Sequence, residues 1–305
     1  MDEDITRCPN ALEEAGRALG CQGCPGQALC QAQGGPDPKQ TALNIRMKAI
    51  KHKILVMSGK GGVGKSTLAA SLVVRLSRRG PVAALDTDIC GPSLPRLLAV
   101  DGADIISTPW GWKPPISSLG GVRVLSVGSM LPSDESSVAL RGPRKTHLIR
   151  SMLADTLWGR LSYLVIDTPP GTSDEHLSLA KLLRETRPDG VVLVTTPQDL
   201  ACGVVRRQIT FCRKVGLHIL GLVENMADFV CPCCQERYRL FADDSSAAKV
   251  TADFGLPLLG SVPLDCDLAA CCEAGHDFGA KYPQSRAAAE LDKIAAEVAR
   301  LCEQS

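Results

Sequence analysis

The segment Ile54-Leu55-Val56-Met57-Ser58 runs straight into Gly59-Lys60-Gly61-Gly62-Val63-Gly64-Lys65-Ser66-Thr67, and no other stretch of the 305 residues limits the fold as tightly. The apolar run reads as a strand buried on both faces. The G-x-x-x-x-G-K-[ST] spacing after it reads as a phosphate-binding loop closed by the first turn of a helix. Its glycines let successive backbone N–H groups turn inward around phosphate oxygens, and the helix N-terminus adds its dipole. Lys65 is spaced to reach the β- and γ-phosphates of a nucleotide, and the Ser66 hydroxyl to ligate Mg²⁺. ATP or ADP with Mg²⁺ is the expected ligand of residues 59–67.

Downstream, strand-like apolar runs alternate with helical stretches. Strands are expected near 82–86, 122–127, 161–167, 190–195, 217–223 and 257–261. Helices are expected near 65–79, 92–99, 143–158, 174–184, 199–215, 245–254 and 285–302. The last carries Ala288, Leu291, Ile294, Ala295, Val298 and Leu301 at three-four spacing, a packing face. This alternation predicts an α/β P-loop NTPase with a mostly parallel sheet flanked by helices. Residues 101–121, punctuated by Gly and Pro around Trp110 and Trp112, read as a loop or short hairpin. The expected organisation is a Cys-rich extension over 1–35, a linker over 36–50 and an ATPase domain over 51–305.

Two acidic strand ends belong with the loop, because parallel strands gather their carboxyl ends at one edge. Asp167, ending Tyr163-Leu164-Val165-Ile166, suits a carboxylate that holds Mg²⁺ through water. Asp86 and Asp88 end the run Val82-Ala83-Ala84-Leu85, with Asp86 read as structural. Asp174 reads as a helix N-cap. Asn225, in Glu224-Asn225-Met226 after a strand, suits a turn.

Charge offers little: 34 Lys plus Arg against 33 Asp plus Glu give a net +1, so neither nucleic acid nor a membrane is expected as a partner. The acidic start Met1-Asp2-Glu3-Asp4-Ile5 resembles no signal or transit peptide. The apolar runs fall far short of the roughly 20 residues that span a bilayer. The expectation is a soluble, cytoplasmic chain in a reducing compartment, where clustered cysteines bind metal or carry redox chemistry.

There are 14 cysteines. Cys8, Cys21, Cys24 and Cys30 lie in a segment with few large apolar side chains, so it stays disordered unless a metal holds it. Four thiolates suit either tetrahedral Zn²⁺, slightly favoured by spacing, or a four-cysteine iron–sulfur cluster. Cys231-Pro232-Cys233-Cys234 contains a C-x2-C pair with an extra thiol inside it. Two thiolates are too few for a closed site, but pairs from two chains would make four. A redox dithiol and a zinc site within one chain are the alternatives. Cys90, Cys202, Cys212, Cys266, Cys271, Cys272 and Cys302 follow no ligand spacing and read as small buried hydrophobes.

Lys60 adds a resemblance. The G-K-G-G-x-G-K-[ST] form resembles the deviant Walker A ATPases, which implies that Lys60 reaches the nucleotide of a partner subunit in a face-to-face dimer. With Arg141-Gly142-Pro143, Asp167-Thr168-Pro169-Pro170-Gly171-Thr172-Ser173-Asp174-Glu175, Val223-Glu224-Asn225-Met226 and the Cys231–Cys234 pair in order, the chain resembles the Mrp/nucleotide-binding-protein family of iron–sulfur scaffold ATPases. The four-cysteine extension is similar to that of the family's larger cytosolic scaffold subunit. The resemblance implies a stable [4Fe-4S] cluster on Cys8, Cys21, Cys24 and Cys30. It implies a labile, subunit-bridging [4Fe-4S] cluster on Cys231 and Cys234. It also implies water positioning by Asp88, base contact by Asn225, and clusters handed to cytosolic and nuclear apo-proteins and transfer factors. The implied assembly is a homodimer, or a heterotetramer with a smaller paralogous scaffold ATPase. Cys233 and Cys266 depart from the family's pattern. Positioning ATPases of Min/Par type and a zinc-stabilised nucleotide switch are the competing readings.

Overall fold

In β1 (Ile50–Ser58), Ile54 and Val56 turn to one face of a sheet while Leu55 and Met57 turn to the other, and all four are buried. A strand that is apolar on both faces needs cover on both. The computed structural model, which describes residues 22, 38–89, 91–130, 142–231, 233–234, 236–241 and 247–304, supplies it with two layers of helix. Cys8, Cys21, Cys24, Cys30, Cys90 and Arg141 lie outside the described residues.

The other strands of the sheet are β2 (Val82–Asp86), β5 (Arg123–Ser126), β6 (Leu161–Pro170), β7 (Gly190–Thr195), β8 (Ile219–Val230) and β10 (Leu258–Leu264). Their spatial order is β10-β8-β7-β1-β6-β2-β5, and every pairing in it is parallel. β9 (Arg237–Arg239) folds back antiparallel on the end of β8. β3 (Ile106–Thr108) and β4 (Gly111–Lys113) form a separate short hairpin inside the stretch read as a loop.

One face of the sheet is covered by α2 (Lys65–Leu76) and by α10 (Arg286–Glu303), whose Ala288, Leu291, Ile294, Ala295 and Val298 are buried. The other is covered by α1 (Pro38–Lys48), α4 (Gly142–Ala154), α5 (Asp174–Leu183) and α6 (Asp199–Val215). Short helices α3 (Leu94–Leu97), α7 (Ala247–Phe254), α8 (Cys266–Glu273) and α9 (Phe278–Lys281) complete the chain. No helix among the described residues is long and apolar enough to cross a membrane.

Three expectations change. The stretch read as a linker contains α1, which is anchored by fully buried Leu43 and Met47, and β1 begins at Ile50 rather than Ile54. Ser173, not Asp174, is the N-cap of α5, since its hydroxyl takes the His176 amide while the His176 ring answers the Ser173 amide. Cys202, Cys212, Cys271, Cys272 and Cys302 are buried as expected of small hydrophobes, whereas Cys266, the first residue of α8 beside its cap Asp265, is exposed.

If α1 is part of the core, Leu43→Ala leaves a cavity and costs about 2–5 kcal/mol. The neighbouring exposed Ile45→Ala stays within about 0.5 kcal/mol. Urea unfolding of the two variants separates a packed helix from a linker.

Candidate functional site

Ser58 ends β1 with its hydroxyl donated to the Lys60 carbonyl at 3.0 Å, which starts the loop turning. Gly62 and Gly64 then adopt φ of 77° and 83°, the left-handed region that favours glycine. At Gly64 space is closed as well, because a Cβ there would stand 2.1 Å from Asn225 Nδ2. The same Asn225 amide donates to the Val63 carbonyl at 2.9 Å. Asn225 is thus a strand residue of β8, paired in register with Val262, and not a turn former. It holds the phosphate loop from behind.

Lys65 opens α2 and is buried, with its ammonium 2.5 Å from Asp167 Oδ1. The Ser66 hydroxyl donates to Asp167 Oδ2 at 2.5 Å. Burial pushes the fully buried Asp167 carboxyl above its ordinary range, while Lys65 and Ser66 work against that rise. The hydroxyl of Ser66 and the carboxylate of Asp167 are hard oxygen donors side by side, which fits Mg²⁺. Asp88 is half-buried and takes the Gly91 amide at 3.2 Å, near enough for its charge to raise Asp167 further. Lys60 is exposed on the loop. The loop, Asp167, Asp88 and Asn225 therefore converge at the carboxyl edge of the sheet.

Asp86 does a different job from its neighbour. Its carboxylate takes the amides of Asp88, Ser93 and Leu94 at 3.0, 3.0 and 3.1 Å, and so shapes the turn that carries Asp88. Burial, and then the charge of Asp167, push it up to about 7.

Sequence reasoning missed the residues that lace the strand ends together. Thr87 donates through both its amide and its hydroxyl to the Asp167 carbonyl, at 2.9 and 2.8 Å. Thr168 donates to the Val56 carbonyl at 2.9 Å. The ring of buried His176 bridges Ser173 and Thr168: its Nδ1 accepts the Ser173 amide at 3.1 Å and its Nε2 lies 3.1 Å from Thr168 Oγ1. That arrangement requires a neutral imidazole carrying its proton on Nε2. The Ser-x-x-His spacing was the one available signal, as a variant of the capping box.

Beyond Asn225, β8 bulges. Asn225 pairs with Val262 and Phe229 with Leu264, so four steps on β8 match two on β10, and Met226 within the bulge has φ 57°. The strand then runs out into the β8–β9 hairpin, closed by the Cys231 amide on the Glu236 carbonyl at 3.0 Å and by an Asp228–Arg237 ion pair. Cys231 is half-buried, and Cys233 and Cys234 are exposed at its tip. The backbone amides of Cys234 and then Cys233 hold the Cys231 thiol below its ordinary value, which suits a thiolate ligand.

Comparison with known proteins agrees with this arrangement. The model of the ParA family, described as NUBPL iron-transfer P-loop NTPase, matches residues 49–299. The chain belongs to that family. The nucleotide-binding protein from Archaeoglobus fulgidus, solved in complex with ADP, is similar at 34% identity and TM-score 0.68, over 78% of this chain and 92% of that one. The cell division ATPase MinD of Pyrococcus furiosus shares the fold at 24% identity and TM-score 0.61, over 82% of this chain and 99% of its own. The MinD of Pyrococcus horikoshii, complexed with Mg-ADP, does so at 23% and 0.62, over 81% and 95%. As a member of the iron-transfer P-loop NTPase family, the chain is a nucleotide-binding protein with its phosphate loop intact.

Burial lowers the His176 ring to about 4 from an ordinary 6.5. Between those values the unfolded chain holds a proton that the folded chain refuses, so stability falls as pH drops through that window. The loss is on the order of 3 kcal/mol. In His176→Gln this component disappears, and unfolding titrations of the two chains from pH 7 to 4 read the difference.

Proposed function

We propose that the chain is an ATP-dependent scaffold that assembles [4Fe-4S] clusters and passes them to cytosolic and nuclear apo-proteins. One observation carries the reading: a single strand, β8, holds the phosphate loop through Asn225 and, six residues later, delivers Cys231. Six fully extended residues would span roughly 20 Å at about 3.3 Å each, and the bulge between Asn225 and Phe229 makes the link shorter than that. A change at the loop therefore has a short, stiff route to the thiols.

In this reading Lys65 and Ser66 take the phosphates and Mg²⁺, Asp167 holds the metal's water shell, and Asp88 orients the attacking water. Lys60, exposed on the loop, reaches the nucleotide of a second subunit. That subunit is a second copy or a smaller paralogue. Cys231 and Cys234 each supply a thiolate, so two chains provide four around one bridging cluster, which is cargo. The lowering of the Cys231 thiol by the Cys234 and Cys233 amides favours the thiolate that ligation requires. A cluster shared by two chains is sensitive to the distance between them, and nucleotide turnover at the same interface sets that distance. The N-terminal Cys8, Cys21, Cys24 and Cys30 hold a second, resident cluster, a proposal that rests on their number and on the family resemblance. Downstream transfer factors receive the labile cluster.

Anaerobic reconstitution with iron and sulfide tests the reading. Wild type is expected to carry both clusters, Cys8→Ala to lose the slowly exchanging one, and Cys231→Ala to lose the one transferred to an apo-protein. A colourless, zinc-loaded product that stays colourless after reconstitution, or cluster transfer unaffected by Cys231→Ala, sinks it. Lys60→Ala is expected to lower ATP turnover by about 100-fold while nucleotide still binds, as for loss of one preorganised donor to the developing charge. Steady-state turnover beside equilibrium binding of an ATP analogue measures both.

A further inference from the structure

Helix α6 meets both the phosphate loop and the end of β6 through one of its faces. Val204 and Gln208, one turn apart, share that face. Val204 closes on Gly59, where an added Cβ would stand 2.8 Å from Val204 Cγ1 and 3.0 Å from its backbone carbonyl carbon. Gln208 is fully buried, and its side-chain amide donates to the Gly171 carbonyl at 3.1 Å. Gly171 comes directly after β6, four residues beyond Asp167, and holds φ 80°.

From Gly171 the contacts run back into the loop. The Gly171 amide donates to the Ser58 carbonyl at 2.8 Å, and the Ser58 hydroxyl donates to the Lys60 carbonyl at 3.0 Å. Pro170 lies beside Gly61, 3.9 Å from where a Cβ would stand. Lys60 is thereby held on both sides, through Gly59 against α6 and through Gly61 against the end of β6. Gln208 is the far end of a chain of three hydrogen bonds that finishes on Lys60.

The chemistry of the Gln208 amide points to its donor. A carbonyl only accepts, so the amide nitrogen has to face Gly171 and the amide oxygen is the atom left over. That oxygen is buried with no hydrogen-bond partner among the described residues. A buried acceptor in that condition is destabilising, and an apolar side chain of similar size would avoid it. Packing alone therefore does not account for Gln208. Lys65 and Ser66 are held separately, by the Asp167 carboxylate, and do not depend on this chain of bonds.

Resting on the reading of this site as one that hydrolyses ATP, we propose that Gln208 is a positioning residue for that reaction. Through Gly171 and Ser58 it fixes the Lys60 turn and the end of β6 in the geometry that hydrolysis needs, and it adds nothing to the grip on the nucleotide. A shift of about 1 Å in a group that acts on the reacting phosphate can lower the rate by about 100-fold. The same shift leaves the contacts of Lys65 and Ser66 in place.

The test is Gln208→Leu in the full-length chain. kcat for ATP is expected to fall by about 10- to 100-fold. KM for ATP and the equilibrium affinity for ADP are expected to stay within about threefold, which marks a loss confined to the reaction. The unfolding temperature is expected to hold to within about 4 °C, since the unpaired amide oxygen leaves with the donor. Hydrogen exchange at the Gly171 amide is expected to quicken while the amides of the middle of α6 keep their protection. Turnover in wild type that Gln208→Leu leaves unchanged overturns the proposal. A matching loss of ADP affinity or a collapse of the unfolding temperature overturns it too, by making Gln208 a binding or a structural residue. Should Gln208→Leu fail to fold, Gln208→Met, unbranched and without a donor, decides on the same measurements. Absence of ATP turnover in wild type sinks the hydrolysis reading and this proposal with it, an outcome distinct from the others.

Discussion

A carboxylate with no solvent exposure has to be surrounded by donors, and the arrangement around Asp167 sets the terms for the rest of the molecule. Its two oxygens take Lys65 and Ser66 from the loop, and its own carbonyl takes Thr87 from the neighbouring strand. Removing one partner of such a buried pair leaves an uncompensated charge, a loss of about 3–5 kcal/mol. β1, β2, β6 and the start of α2 are therefore fastened at one point. The fold and the site are the same set of contacts, seen once as architecture and once as chemistry.

What could be read from the sequence follows the range of the interaction. The phosphate loop, β2, β7 and α6 were legible because each is set by a local pattern of glycines, apolar runs or helical spacing. Helix α1 was hidden because only Leu43 and Met47, four residues apart, face the core, and the rest of Pro38–Lys48 is mostly polar. Helices α8 and α9 are short and begin at Asp265 and Asp277, caps that read equally well as loop residues. The role of Asn225 could not be seen at all, since the carbonyl it holds is 162 residues away in the chain. His176 is the same case on a smaller scale, because its partner on β6 is fixed only once the strand end and α5 are packed together.

The cysteines divide along the same line. Those in the hairpin announce themselves by spacing. Cys302 was read as one more small hydrophobe, and by burial alone it is one. Its neighbours, His52 and Asp189, come from segments 250 and 113 positions earlier by residue number. No short pattern joins them.

The bulge in β8 has a consequence that concerns parity. Four steps on β8 oppose two on β10, so the surplus is two residues, an even number. Side chains alternate with a period of two along a strand, and an even surplus returns the chain beyond the bulge to the same up-and-down sequence that it left. Loss or gain of one residue there would keep the hairpin, its turn and all its thiols, yet turn them over to the other side of the sheet. Which way the cysteines face is thus written as a count between Asn225 and Phe229.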